Sequence, residues 1–190
     1  MWEWRVFYNR FQEPQWVSRI KEMLHNTPVE ERTDLYFNLN SAKYGIKIRA
    51  LSDSHQLLEL KVLKITEGFF EYWEKPIKHT IQVIKDGNLY DAMVFSLENF
   101  TQQVSSTKEI IDILNTRKCN EIEIDKYRKK TTIDDISIEI VKIRYQNKTQ
   151  MGVQLECRSS SLLYEFLSKK LAIPIEKYSN VSYPRFLMKI

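Results

Sequence analysis

The sequence predicts an α+β protein: one large antiparallel sheet, curled or closed, with helices packed outside it. Three observations lead there. Apolar and polar residues alternate with period two in about eight separate stretches of the 190 residues, the pattern of strands with one apolar and one polar face. The turns between most of these stretches are short and polar, as antiparallel neighbours permit. Helical spacing is confined to three or four segments. With no internal repeat, low-complexity segment or linker, residues 1–190 form a single domain.

Taken in order, residues 2–8 place Trp2, Trp4, Val6 and Tyr8 on one face and Glu3, Arg5 and Phe7 on the other. Pro14 opens a helix running to about His25, since proline is tolerated in a first turn; Trp16, Val17, Ile20, Met23 and Leu24 are its inward stripe. Asn26-Thr27-Pro28 breaks it. Residues 30–38 are the next strand. Residues 44–51 and 57–64 form a hairpin around a loop at 52–56. Ile46, Ile48, Leu58, Leu60 and Val62 lie on its apolar side, and Lys47, Arg49, Glu59 and Lys61 on the other. Residues 67–75 are an aromatic-rich strand or irregular edge that stops at Pro76. Asp86-Gly87 marks a turn. Residues 89–104 and 107–117 are helical, the second capped by Ser106 or Thr107, with Ile110, Ile111 and Leu114 inward. Strands return at 119–131, 136–145 and 151–158. Ser159 or Ser160 caps a last helix to about Leu171, with Leu162, Leu163, Phe166 and Leu167 inward. Residues 181–187 form a terminal edge strand, where Pro184 is allowed.

Composition removes several function classes. Only four glycines occur, so there is no glycine-rich phosphate loop, and any phosphate must be held by side chains. His25, His55 and His79 are isolated, and Cys119 and Cys157 lack metal-type spacing; neither a zinc site nor a Ser-His-Asp triad can be assembled. The start Met-Trp-Glu-Trp-Arg has no signal-peptide core, and no run of 18 apolar residues occurs. These features predict a reducing, cytoplasmic setting with no membrane partner and no DNA. The net charge of +4 favours anionic partners.

The polar strand faces gather a repeated set of charges. Acids are Glu3, Glu59, Glu139 and Glu156; bases are Arg5, Lys47, Arg49, Lys61, Lys126, Arg128, Arg158 and Arg185. An open sheet would display them to water. A closed barrel would direct them into its lumen, where charge must be paired or hold a ligand. A lumen richer in cations than carboxylates suits a polyphosphate with Mg²⁺ or Mn²⁺.

The order Glu-x-Arg, Arg-Thr-Asp-x-Tyr, Gly-Ile-Lys-Ile-Arg, Leu-Glu-Leu-Lys, Lys-Tyr-Arg, Ile-Glu-Ile, Gln-Leu-Glu and a late Ser-Tyr resembles the CYTH, or triphosphate tunnel metalloenzyme, superfamily over nearly the whole chain. That group includes class IV adenylate cyclases, thiamine triphosphatase, inorganic tripolyphosphatases and fungal-type RNA triphosphatases. The resemblance implies an eight-stranded closed antiparallel barrel, a tunnel, with helices outside. It implies metal-dependent hydrolysis of a small-molecule or RNA triphosphate. Glu3, Arg5 and Glu156 would be catalytic, Glu3, Glu139 and Glu156 would hold Mg²⁺ or Mn²⁺, and Lys47, Arg49, Lys61, Lys126, Arg128 and Arg185 would bind the phosphates.

The chain departs from the family pattern at three points. The first Glu of the Glu-x-Glu-x-Lys motif falls on Met1, its Lys on Arg5, and the first Glu of the late Glu-x-Glu on Gln154. Two other readings follow. A non-catalytic tunnel would bind polyphosphate, a nucleotide or an RNA end. An interaction barrel would carry charged faces that are merely solvated, with Phe69, Phe70, Tyr72 and Trp73 as core packing, rim or partner surface.

Overall fold

The alternation seen in the sequence becomes eight strands. The structure, a computed structural model, describes residues 1–51, 55–82, 89–116 without 101–105, and 120–190. Its elements are β1 (Trp2–Tyr8), α1 (Val17–Met23), β2 (Glu30–Asn38), β3 (Tyr44–Ala50), β4 (His55–Glu67), β5 (Phe70–Gln82), α2 (Leu89–Asn99), α3 (Ser106–Asn115), β6 (Asn120–Ile133), β7 (Ile136–Tyr145), β8 (Lys148–Cys157), α4 (Ser160–Glu165) and α5 (Tyr183–Leu187). The strands join in the order β1-β5-β4-β3-β2-β6-β7-β8 and close into an antiparallel barrel, so no strand edge is left for another chain to pair with. The turn expected at Asp86-Gly87 and Cys119 lie outside the described residues.

Two hairpins fix the register of three consecutive strands. Asp134 and Asp135 both have positive φ, as do Gln146 and Asn147, the conformation that two-residue hairpin turns need. Ile133 then faces Ile136, and Tyr145 faces Lys148. The first of these turns is Asp134-Asp135 itself. The whole of β1 lies along β8, from Trp2 opposite Cys157 to Tyr8 opposite Met151.

The chain divides into two compact units. The first (1–32, 64–73 and 124–182) packs α1, α4 and the π-helical turn after it onto one face of β1, β7 and β8. Trp4, Val6, Ile138, Ile140, Val153 and Leu155 meet Val17, Ile20, Leu163, Phe166 and Leu167 in this core. The second (33–63, 74–123 and 183–190) packs α2 and α3 on β2 to β5. There Phe37, Ile46, Ile48, Leu58 and Leu60 meet Met93, Leu97, Ile110 and Leu114. In each unit the helices cover the outer face, and the charged face of the same strands lies inside the closed barrel.

Four expectations are corrected. The helix after Pro14 begins at Val17, because residues 14–16 form only a turn. The strand at 67–75 runs through Pro76 on to Gln82, lying between β1 and β4; Pro76 takes one donor out of it without ending it. The first of the two middle helices is seen as Leu89–Asn99, and its expected continuation at 101–104 lies outside the described residues. Leu162 is exposed, since the helix capped by Ser159 aims Leu163 inward and the residue before it lies about 100° away. Residues 181–187 are not an edge strand, because the closed barrel has no edge to extend. Val181 N–H donates to the Arg5 carbonyl and the Asn180 side chain accepts from Arg5 N–H; Tyr183–Leu187 then coils into α5.

Among the described residues no helix is long and apolar enough to cross a membrane. The four aromatics at 69–73 divide. Phe70 joins the first core, Tyr72 meets Trp2 edge-on at 5.3 Å, and Trp73 is buried, while Phe69 stays 39% exposed.

Candidate functional site

Cross-strand partners share a face, so the registers give the inner surface of the first unit as rows. One row is Glu71, Glu3, Glu156 and Ser137, on β5, β1, β8 and β7. The next is Arg5, Gln154, Glu139 and Lys130, on β1, β8, β7 and β6. The third is Phe7, Gly152, Val141 and Arg128. A carboxylate row therefore lies directly beside a mixed, more cationic one. Gly152 is required by the third row: a Cβ there would stand 3.0 Å from the Phe7 ring and 3.3 Å from Val141.

Glu3, Arg5, Glu71, Lys126, Glu139, Gln154 and Glu156 are all buried, and such charges must be paired. Arg5 Nη2 lies 3.1 Å from Glu3 Oε1 and also donates to Gln154 Oε1. Gln154 Nε2 donates to Glu3 Oε2 at 3.2 Å, so Gln154 ties the carboxylate and the guanidinium together. Trp73 Nε1 donates to Glu71 Oε2 at 3.1 Å. Lys130 Nζ is 3.5 Å from Glu156 Oε2. Arg128 donates from Nη1 to Glu139 Oε2 at 2.8 Å, and from Nε and Nη2 to Glu30. Burial pushes the Glu139 carboxyl up, but Lys126, Arg128, Lys130 and Arg5 together outweigh it and hold it below the usual carboxylate range.

The second unit has its own charged inner face. Asp34 pairs in register with Arg49, Tyr36 with Lys47, Lys47 with Glu59, and Gly45 with Lys61. Arg49 Nε donates to Asp34 Oδ1 at 2.9 Å; Lys47 Nζ stands 3.2 Å from Glu59 Oε1 and 3.7 Å from Asp34 Oδ2. Lys75 Nζ is 4.0 Å from the other Glu59 oxygen. Burial raises the Glu59 carboxyl, yet Lys47, Lys75 and Lys61 bring it down to about 2. Lys47, Arg49, Lys61 and Lys75 thus outnumber Asp34 and Glu59 on this face.

α5 lies on the inner side of β2 and β3. Tyr183 stacks on Tyr36 with ring centroids 5.0 Å apart, Asn38 Nδ2 donates to the Leu187 carbonyl at 2.9 Å, and Pro184 sits where a Cβ on Gly45 would reach 3.0 Å. Arg185 is carried on this helix, half-buried.

All the residues read from the sequence as site candidates lie on these inner faces or on α5. The structure joins Glu3 with Arg5, Arg128 with Glu139, and Lys47 with Glu59. Glu139 falls in the mixed row, next to the row of Glu3 and Glu156. Arg158, grouped with the cations, follows β8 and is exposed. Sequence reasoning missed Glu71, Glu30, Arg32, Lys75 and the pairing role of Asp34. Glu71 is flanked by aromatics on both faces of its strand, which hides the alternation.

Mg²⁺ takes one or two carboxylates and leaves other positions to water and phosphate oxygens. The facing Glu3 and Glu156 supply hard oxygen donors of that kind. Among the described residues no three His, Cys, Asp or Glu converge closely enough to enclose a metal by themselves.

No known family model matches the chain, and no curated protein matches it. Solved structures do. A candidate adenylate cyclase of Bacillus halodurans is 12% identical, with 95% of this chain and 91% of that chain covered and a TM-score of 0.53. A protein of Pyrococcus horikoshii OT3 is 12% identical, with 96% and 97% covered and a TM-score of 0.51. At that identity the likeness is one of fold: a closed eight-stranded barrel with helices outside, consistent with the tunnel fold that the sequence resemblance implies.

Proposed function

We propose that the barrel is a metal-dependent phosphohydrolase that holds a triphosphate against its inner face. The observation that carries this reading is the adjacency of rows in the first unit: Glu71, Glu3 and Glu156 beside Arg5, Gln154, Glu139 and Lys130. Acids next to cations are what a metal–polyphosphate needs. Glu3 and Glu156 hold Mg²⁺ or Mn²⁺, with Glu139 in the row beyond. A bound ion of this kind neutralises and polarises phosphate oxygens.

The chain's own residues do the rest. Arg5, Lys126 and Arg128 bind and orient phosphate oxygens; Lys47, Arg49, Lys61 and Arg185 are further phosphate-binding groups in the second unit. Fixed cations stabilise the charge that spreads over the terminal phosphoryl group. Water oxygen bonds to the terminal phosphorus, the bridging P–O bond breaks, and the proton lost from water leaves to solvent. Inorganic phosphate and the shortened chain are the products.

A second reading is supported by Gln154, which stands where the resemblance expects a Glu and ties Arg5 to Glu3. In it the barrel binds a polyphosphate, nucleotide or RNA end without turnover.

The test is phosphate release from tripolyphosphate, ATP, thiamine triphosphate and triphosphate-ended RNA, with Mg²⁺, Mn²⁺ or chelator. The ATP reaction is also read for cyclic nucleotide, the product suggested by the name of the Bacillus halodurans structure. Metal-dependent release that falls at least tenfold in Glu156→Ala supports hydrolysis. Thermal stabilisation by tripolyphosphate without release supports binding alone. Neither response rejects both.

A further inference from the structure

Arg128 is held by two carboxylates of unlike character. Glu139 is buried and accepts from Nη1 at 2.8 Å. Glu30, the first residue of β2, is half-exposed. Its Oε2 accepts from both Nε at 3.0 Å and Nη2 at 2.7 Å, while its Oε1 accepts from Arg32 Nη1 at 3.0 Å. One whole edge of the Arg128 guanidinium thus points at a single carboxylate. That edge, with two parallel N–H groups, is the one a phosphate oxygen pair engages best.

We propose that Glu30 is an internal competitor for Arg128: it occupies the edge a phosphate would use and so sets how tightly the barrel binds polyphosphate. The inference rests on the phosphate-binding reading above. Arg32, Glu30, Arg128 and Glu139 form a chain of two cations and two carboxylates, which is neutral. Glu30 can withdraw, because a half-exposed ion pair is held weakly and water can solvate the released carboxylate. Glu139 cannot, because its burial makes an unpaired charge costly. An anion arriving at Arg128 therefore displaces Glu30, and the loss of that pair is deducted from the anion's affinity. Glu30 is charged at neutral pH: burial raises its carboxyl, but Arg128 and then Arg32 hold it below the ordinary value.

The test is calorimetric titration of tripolyphosphate into the full chain with chelator present, at one fixed salt concentration. The proteins are wild type, Glu30→Gln, Glu30→Asp and Glu165→Gln. Glu165 is an exposed helix residue paired with Lys169, so its variant makes the same change in net charge elsewhere. Glu30→Gln is expected to bind about fivefold tighter, the scale of an exposed ion pair, with Glu30→Asp between it and wild type and Glu165→Gln unchanged. Equal or weaker binding by Glu30→Gln and Glu30→Asp overturns the inference while leaving phosphate binding intact. An equal gain in Glu165→Gln overturns it as well, by reducing the effect to net charge. No binding by any protein removes the phosphate-binding reading and this inference with it.

Discussion

Replacing Glu139 by Gln keeps the volume of the side chain and removes one charge from the inner face of the first unit. Glu139 is only 5% exposed and bonds Arg128 at 2.8 Å. Lys126, Lys130 and Arg5 also act on it. Removing one partner of a buried pair costs roughly 3–5 kcal/mol, mostly by stranding the other charge. Arg128 keeps Glu30, so the lower end applies, about 3 kcal/mol. For a chain of this size about 1 kcal/mol moves Tm by roughly 2–4 °C, which gives a fall of about 6–12 °C at neutral pH. The cost has a pH signature. Glu139 is depressed in the folded state, so its contribution is present above the ordinary carboxylate range and is lost as pH falls through the folded value. The Tm difference between wild type and Glu139→Gln should therefore shrink in acid. The assay is thermal unfolding followed by circular dichroism from pH 8 to pH 3. A Glu139→Gln protein within 2 °C of wild type at pH 7 would refute the reasoning, as would a difference that grows on acidification.

Three other outcomes follow from the same geometry. Glu59→Gln is expected to lower stability above about pH 4.5 and to converge with wild type as pH falls towards 2, because Lys47, Lys75 and Lys61 outweigh burial there; parallel stability curves would contradict it. Gly152→Ala forces a Cβ to within 3.0 Å of Phe7 and 3.3 Å of Val141, which costs about 1–3 kcal/mol by overpacking and is read from urea midpoints. Leu162→Ala should lie within about 0.5 kcal/mol of wild type, since the side chain is 50% exposed, whereas Leu163→Ala, fully buried, should cost about 2–5 kcal/mol; similar midpoints for the two would reverse the assignment of the helix face.

The sequence by itself determined the strands and what each carries. Alternation in Trp2–Tyr8, Ile136–Tyr145 and Tyr44–Ala50 fixed both the element and its two faces, because a strand's side-chain period is two and a one-residue slip would bury the charges of the wrong face. The inner-face residues Glu3, Arg5, Lys47, Arg49, Glu59, Lys126, Glu139 and Glu156 were legible for the same reason. Only the tertiary structure decided which of them meet. Glu3 faces Glu156 and Glu71 because β1 lies between β8 and β5, a neighbour relation no local pattern encodes. Pro76 looked like a stop because its missing N–H is a local fact, whereas the strand around it continues to Gln82 through its place between β1 and β4. The tail read as an edge strand because alternation and Pro184 permit one; closure of the barrel removed the edge, and Tyr183 stacked on Tyr36 instead. Local periodicity specifies an element and its faces, while pairing between distant strands is settled by closure and burial, which depend on the whole chain at once.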